Sequence, residues 1–311
     1  MAPSVAEIQP AVAVDATQAA KDAVRTQDNG PKYPFYLPYY DLEENFPPTE
    51  LFEFVDPGGH ADPKKPNLLN PNTTVKNVSP YLGTKITGVQ ISEPSPAGLD
   101  ELALFTAEHK VLAFCPIQRH STSPNVKGYP EFHVVYRDHT HDHSRSPRRQ
   151  NRISPISWHS DPASDGGDTL FLSQVEAYNR LSPRGLRAVH SAVRRAEDSK
   201  LGNGPVRREP VESEHPIVRI HPVTGEKALY INEQFTCYIV GFRQEESDAL
   251  LGFLYNHIAK GADFQIRGSY QPGTVDNRLT VHSIVSDYNR SNRRRNVCLT
   301  PQAEIPIPVT A

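Results

Sequence analysis

Apolar positions are spread unevenly along the chain. Residues 1–30 are Ala-rich and polar, hold no aromatic residue, and offer little apolar surface to dock even where Thr17 to Thr26 favours a helix. This stretch reads as a disordered tail. Residues 31–80 mix many prolines with aromatic clusters such as Tyr33-Pro34-Phe35-Tyr36 and Tyr39-Tyr40. Proline blocks sheet pairing while the aromatics need cover, so an extended arm lying on a core is expected. From Tyr81 the pattern becomes dense. Lys85 to Ile91 alternates loosely as a strand does. Ser95-Pro96 then reads as an N-cap and first helical residue, with Leu99, Leu102 and Phe105 as the buried stripe of a helix ending near Lys110.

Beyond that helix, Val111 to Cys115, Phe132 to Tyr136 and Thr169 to Leu172 are short strand candidates. Two helical pieces are expected next, the second capped by Ser182-Pro183 and running to about Asp198. Strands follow at 216–221, 227–232 and 236–241. The stretch 244–259 is helical, with Leu250, Leu251, Leu254 and Ile258 on one face. Strands at 263–270, 279–285 and 297–300 close the pattern. Many short strands with few, segregated helices predict a mainly β architecture, a sandwich or jelly roll decorated by helices, over residues 81–305.

Composition narrows the functions this frame can serve. Of 311 residues, 33 are Lys or Arg and 36 are Asp or Glu, a formal net charge of −3. Nucleic acid is therefore not expected as a partner, since phosphate binding needs a basic excess. No run of about 18 apolar residues occurs, and Glu7 and Pro10 interrupt any leader-like segment, so neither membrane insertion nor secretion is expected. Cys115, Cys237 and Cys298 are odd in number and far apart, and read as reduced thiols in a cytoplasmic protein. Whether the chain forms a homo-oligomer is left open.

One constellation carries chemistry. In Trp158-His159-Ser160-Asp161 the i, i+2 spacing of an extended segment turns His159 and Asp161 to one face, where they can share a metal. A distant histidine completes a two-His-one-carboxylate face that leaves open positions on Fe(II). His282, in the alternating stretch Leu279 to Val285, is the natural third ligand. The pair alone is a weak signal, because His60-Ala61-Asp62 repeats it in what reads as a turn. His139, His141 and His143 also alternate, but precede an Arg-rich stretch and read as a solvated loop.

Longer motifs surround the first pair. Residues 166–180 (GGDTLFLSQVEAYNR) with Leu181-Ser182-Pro183, residues 221–232 (HPVTGEKALYIN), and residues 276–282 (DNRLTVH) with Asp287-Tyr288 stand in the order found in the taurine dioxygenase family of Fe(II)/2-oxoglutarate-dependent oxygenases. The resemblance covers about residues 80–305, and the tail and arm resemble those of fungal sulfonate dioxygenases. It implies a double-stranded β-helix (jelly-roll) fold, Fe(II), and 2-oxoglutarate as co-substrate. It implies His159, Asp161 and His282 as metal ligands and Thr169 as a 2-oxoglutarate contact. An arginine after the distal histidine should grip the far carboxylate of 2-oxoglutarate, a task suited to a planar guanidinium. Counting back from Thr300-Pro301-Gln302 assigns Arg294, with Arg293 second. His120 falls where the family has a substrate-binding histidine. Where sulfonate-using members hold the substrate anion with a second arginine, this chain has Cys298.

The chain also departs from the family pattern. Asp161 and Gly166 are five residues apart, where family members carry a longer connection. A helix expected after Val111 to Phe114 is absent, and Val275 leads straight into Asp276 without the family's short apolar stretch. A shortened jelly roll, or lost coding segments, is the expectation. The resemblance thus implies a dioxygenase that uses O2 to hydroxylate a small organic substrate, sulfonate-type or an intermediate of secondary metabolism, releasing succinate and CO2. The alternative is a catalytically impaired relic of the fold acting as a binding protein.

Overall fold

The computed structural model describes residues 53–90, 94–115, 132–137, 167–182, 192–197, 211–233, 235–268, 273–285, 287, 294–299 and 303–309. The tail 1–30 and most of the arm's aromatic clusters lie outside these residues. The described part of the arm contributes a 3-10 turn, Pro57–Gly59, and strand β1, Thr74–Asn77. β1 pairs antiparallel with β2 (Thr84–Thr87), which lies parallel to β3 (Val111–Cys115). Helix α1, Pro96–His109, makes the crossover that two parallel strands require. β12 (Gly273–Val275) closes this four-stranded sheet against β3. The expected strand 85–91 stops at Thr87. Gly88 follows at φ +84°, and a Cβ there would stand 2.4 Å from the carbonyl oxygen of Asn72, a close approach only glycine permits.

Helix α1 begins as its sequence dictates. The Ser95 hydroxyl accepts from the Gly98 N–H at 3.1 Å, and Pro96 opens the helix. It ends at Lys110, which turns to φ +67°. The buried stripe is Gly98, Glu101, Leu102 and Phe105, and Leu99 is 50% exposed rather than buried. The reason is Glu101, whose carboxylate accepts from Asn67 N–H, Leu68 N–H and the Asn67 side chain at 2.7–2.8 Å. Those bonds turn the helix toward the loop at 65–70 and leave Leu99 at the edge of the stripe.

A second sheet carries the chain's inner frame. β5 (Thr169–Ser173) lies between β11 (Gln265–Gly268) and β13 (Thr280–Ile284), antiparallel to both. α2 (Gln174–Asn179) follows β5, capped by the Ser173 hydroxyl accepting from Glu176 N–H. Helix α3, Gln244–Ala259, has the expected bounds. Its Leu251, Leu254 and Ile258 join Leu172, Ile217, Val218, Leu229, Ile231 and Ile239 in the main hydrophobic core. A third sheet orders β8 (Val218–Ile220) between β9 (Lys227–Leu229) and β15 (Ile307–Pro308). β4 (Phe132–Arg137) and β14 (Arg294–Leu299) pair as a two-stranded ladder.

One expected helix is a strand in part. Its first residues, 183–190, lie outside the described ones, but Ala192–Glu197 forms β6. β6 lies between β7 (Val211–Pro216) and β10 (Thr236–Ile239), with ladders on both sides. Pairing along both edges outweighs the helix preference of an Ala- and Arg-rich run. β7 itself, β1, β12 and β15 carry too little alternation to be read from sequence. Among the described residues no helix is long and apolar enough to cross a membrane.

Candidate active site

The site grows out of the alternation of β5 and β13. Their register sets His282 opposite Phe171, with ring centroids 5.6 Å apart, and Ile284 opposite Thr169. Directly opposed residues share a face, as do residues two apart, so Thr169, Phe171 and His282 lie on one face of the sheet. Ile266, opposite Phe171 on β11, continues the row. This face packs with Leu82, Val111 and Val275 in an apolar cluster, and Thr169 and His282 are buried polar side chains within it, 3% and 6% exposed. The opposite face, with Leu170, Leu172 and Val281, meets the main core.

Burial pushes the His282 imidazole down from its ordinary value to about 3. It is therefore neutral at any physiological pH, the form that offers a lone pair to a metal. His282 thus fits a metal-ligating role by both position and protonation. Among the described residues no three His, Cys, Asp or Glu side chains gather as a metal centre. His159 and Asp161, expected as the other ligands, lie outside the described residues, as do His120, Arg293 and the three alternating histidines 139, 141 and 143. His60, in the other His-x-Asp pair, closes an exposed turn after Pro57–Gly59.

The rim of the sheet is pinned where the sequence motifs meet. Gly167 N–H donates to Asp287 Oδ1 at 2.6 Å, and Val285 N–H donates to the Asp168 carbonyl at 2.8 Å. Arg267 on β11 bridges the Asp168 and Asp287 carboxylates. The Gly167 N–H, followed by the Arg267 guanidinium, holds the Asp287 carboxyl below the usual carboxylate range. Gly167, Asp168 and the Asp287 that follows β13 thus form one corner beside Thr169. On the β4–β14 ladder, Arg294 pairs with Arg137 and Cys298 with His133, at positions of the same parity on β14.

Sequence reasoning missed a buried ionic cluster at the foot of β13, built from Asp56, Arg219, His221, Asp276, Arg278 and Glu304. The available signal was a lone arginine in each of two strand-forming stretches, Arg219 in 216–221 and Arg278 in 276–282.

Comparison with known proteins bears on the same residues. The model of the taurine catabolism dioxygenase TauD, TfdA family matches residues 75–299. The alpha-ketoglutarate-dependent dioxygenase cnsP of Penicillium expansum is 40% identical over 335 aligned positions, which cover 91% of this chain and 90% of that protein. The alpha-ketoglutarate-dependent sulfonate dioxygenase of Saccharomyces cerevisiae is 34% identical over 327 positions, covering 89% of this chain and 79% of that protein. The solved taurine dioxygenase from Burkholderia xenovorans superposes with a TM-score of 0.56 at 21% identity, over 76% of this chain and 93% of that one. It supports the jelly-roll fold. Since 91% of 311 residues is about 283, the 335-position alignment leaves about 52 positions that the Penicillium protein fills and this chain skips. The yeast alignment, 327 positions against about 277 residues, leaves about 50. The two agree, so the shortening belongs to this chain. With the family match spanning residues 75–299 and both relatives, 34–40% identical, covered over 79% or more of their length, the chain belongs to the TauD/TfdA family of 2-oxoglutarate-dependent dioxygenases.

Proposed function

We propose that the chain is an Fe(II)- and 2-oxoglutarate-dependent dioxygenase that hydroxylates a small organic substrate, either sulfonate-type or an intermediate of secondary metabolism. The observation that carries this reading is that Thr169 and His282, two registers apart, are both buried on the same face of the β11–β5–β13 sheet. Fe(II), when bound, supplies oxidative decarboxylation of 2-oxoglutarate to succinate and CO2 coupled to hydroxylation of a C–H bond.

The chain's own residues divide the remaining work. His159, Asp161 and His282 hold the metal on one face, and burial keeps His282 deprotonated and ready to ligate. Thr169 donates its hydroxyl to the co-substrate. Arg294, with Arg293 as the competing assignment, grips the far carboxylate. The apolar row of Phe171 and Ile266 keeps water from the metal side of the sheet. His120 and Cys298 face the substrate. A neutral thiol in place of a cationic donor leaves a desolvated sulfonate without its counter-charge, so taurine is a poor substrate here and neutral or apolar molecules are favoured.

The test is succinate release, dependent on 2-oxoglutarate and Fe(II), across a panel of taurine, longer alkyl sulfonates and neutral apolar molecules. Substrate-dependent succinate supports the reading. Rapid sulfite release from taurine overturns the role of Cys298, and a gain of sulfonate turnover in Cys298→Arg supports it. The positions this chain skips favour a second reading, an impaired binding protein. Tight 2-oxoglutarate binding without turnover on any substrate is the result that favours it.

A further inference from the structure

The ionic cluster at the foot of β13 draws its members from distant parts of the chain. Arg278 donates from Nε to Asp276 Oδ1 at 3.0 Å and from Nη2 to Asp276 Oδ2 at 2.8 Å. Its Nη1 reaches Asp56 Oδ2 and, at 3.3 Å, Glu304 Oε2. Arg219, fully buried and stacked 5.0 Å above the Tyr230 ring, donates from Nη2 to Glu304 Oε1. His221 Nδ1 accepts from the Val223 and Thr224 N–H groups. That fixes its tautomer, so Nε2–H donates to Asp276 Oδ2 at 2.9 Å. His221 thereby joins the 221–232 motif to the 276–282 motif.

Two of the three carboxylates come from outside the family-matched residues 75–299. Asp56 precedes them. Its Oδ1 caps the Pro57–Gly59 turn through Gly58 N–H at 2.8 Å, and Gly58 sits so close to α1 that a Cβ would stand 3.0 Å from the Leu104 nitrogen. Glu304 follows them, three residues before β15, which pairs with the strand carrying Arg219. The core therefore buries a guanidinium whose counter-charges are supplied by both flanks. A charge this deep is held only where it is paired and its donors are used.

The cluster also sets how β13 begins. Arg278 lies four residues before His282, in a turn closed by Arg278 N–H to Asp276 Oδ1 at 2.9 Å and by the Thr280 hydroxyl to the Asp276 carbonyl at 2.8 Å. The turn opens directly into β13, which pairs with β5. We infer that Asp56 and Glu304 are positioning residues for His282: by clamping Arg278 from the two flanking segments, they fix the register and rotation of β13 and so the aim of the ligating imidazole. The inference rests on the reading of His282 as a metal ligand.

The test is titration of the metal-free, full-length protein with Co(II), followed by the visible absorption of the bound ion. Wild type, Asp56→Asn, Glu304→Gln, Arg278→Lys and His282→Ala are compared below the melting temperature of each. Lysine keeps the charge of Arg278 but cannot hold three carboxylates at once, so that variant serves if the neutralised ones do not fold. The expected result is about tenfold weaker Co(II) binding in Asp56→Asn, Glu304→Gln and Arg278→Lys, with an altered spectrum, as outer-shell changes at metal sites typically produce. Asp56→Glu, which restores the charge, should recover part of the affinity. Wild-type affinity and spectrum in the Asp56, Glu304 and Arg278 variants, with only a lowered melting temperature, would make the cluster purely structural and overturn the inference. Undiminished Co(II) binding in His282→Ala would instead overturn the ligand assignment itself.

Discussion

The two faces of the β11–β5–β13 sheet use the same strands for opposite purposes. One face presents Leu170, Leu172 and Val281 to the main core, where Leu251, Leu254 and Ile258 of α3 meet them. The other presents Thr169, Phe171 and His282 to a smaller apolar cluster. Burial stabilises the first face, since each buried side chain leaves water for an apolar neighbour. The second face buries a hydroxyl and an imidazole, which cost free energy to desolvate and lower the net stability of the fold. Strand alternation keeps these demands apart with no residue serving both. A single sheet can therefore serve stability on one side and carry buried polar groups on the other.

That division is most directly broken from the stable side. Leu254 is fully buried at the centre of the main core. Leu254→Ala should cost about 3–5 kcal/mol of unfolding free energy, the transfer loss plus the cavity it leaves. Chemical denaturation measures this. Metal affinity, measured at a temperature where the variant is folded, should stay at the wild-type value. A parallel loss of metal binding would mean that the two faces are coupled.

The face that buries His282 responds to acid. The folded-state pKa of His282, about 3, lies below the ordinary histidine value of about 6.5. The unfolded chain thus binds a proton between these values that the folded protein does not. The stability linked to neutral His282 is fully present above pH 6.5 and is lost as pH falls toward 3, roughly 3–4 kcal/mol over that window. Burial lowers His109 as well, with the same sign, but that contribution remains when His282 is replaced. The lowered Asp276 carboxyl adds to the slope only from about pH 5 downward, and it does so in both proteins. Denaturation curves from pH 7.5 to 4 should therefore be flatter in His282→Ala than in wild type. The same variant should lose metal binding at pH 7.5. Equal pH slopes in the two proteins would show that His282 is not held neutral by the fold.

Legibility in the sequence follows the same line. The apolar face could be read: the stripe Leu250, Leu251, Leu254 and Ile258 gave α3 its bounds, and alternation gave β5 and β13, because burying one face leaves a periodic trace. His282 was legible as a histidine in an alternating run and was expected there as a third metal ligand, a role the family resemblance also implies; its burial on the face shared with Thr169 was not legible. β6 was misread, because Ala192–Glu197 carries helix-forming residues and its two ladders come from distant residues 211–216 and 236–239. The lone arginines Arg219 and Arg278 were visible in the sequence, but their partners could not be read. The partner carboxylates stand at 56, 276 and 304, and pairing across such separations leaves no local period.

The finest test uses two adjacent residues on opposite faces. Thr169 and Leu170 are neighbours in β5, one on each side of the sheet. Thr169→Val keeps the shape and the β-branched fit to the strand while removing the hydroxyl. If that hydroxyl serves the co-substrate, folding should change by less than about 1 kcal/mol. The 2-oxoglutarate dissociation constant should rise about tenfold or more, the usual worth of a hydrogen bond to a charged group. Leu170→Ala should do the reverse, lowering stability with no change in 2-oxoglutarate affinity, because its side chain packs against the main core. Isothermal titration with 2-oxoglutarate and Mn(II), beside thermal melts of both variants, separates the outcomes. A Thr169→Val protein that binds 2-oxoglutarate as wild type does would reduce that threonine to a strand residue with a buried hydroxyl. The co-substrate contact would then lie elsewhere on the inner face.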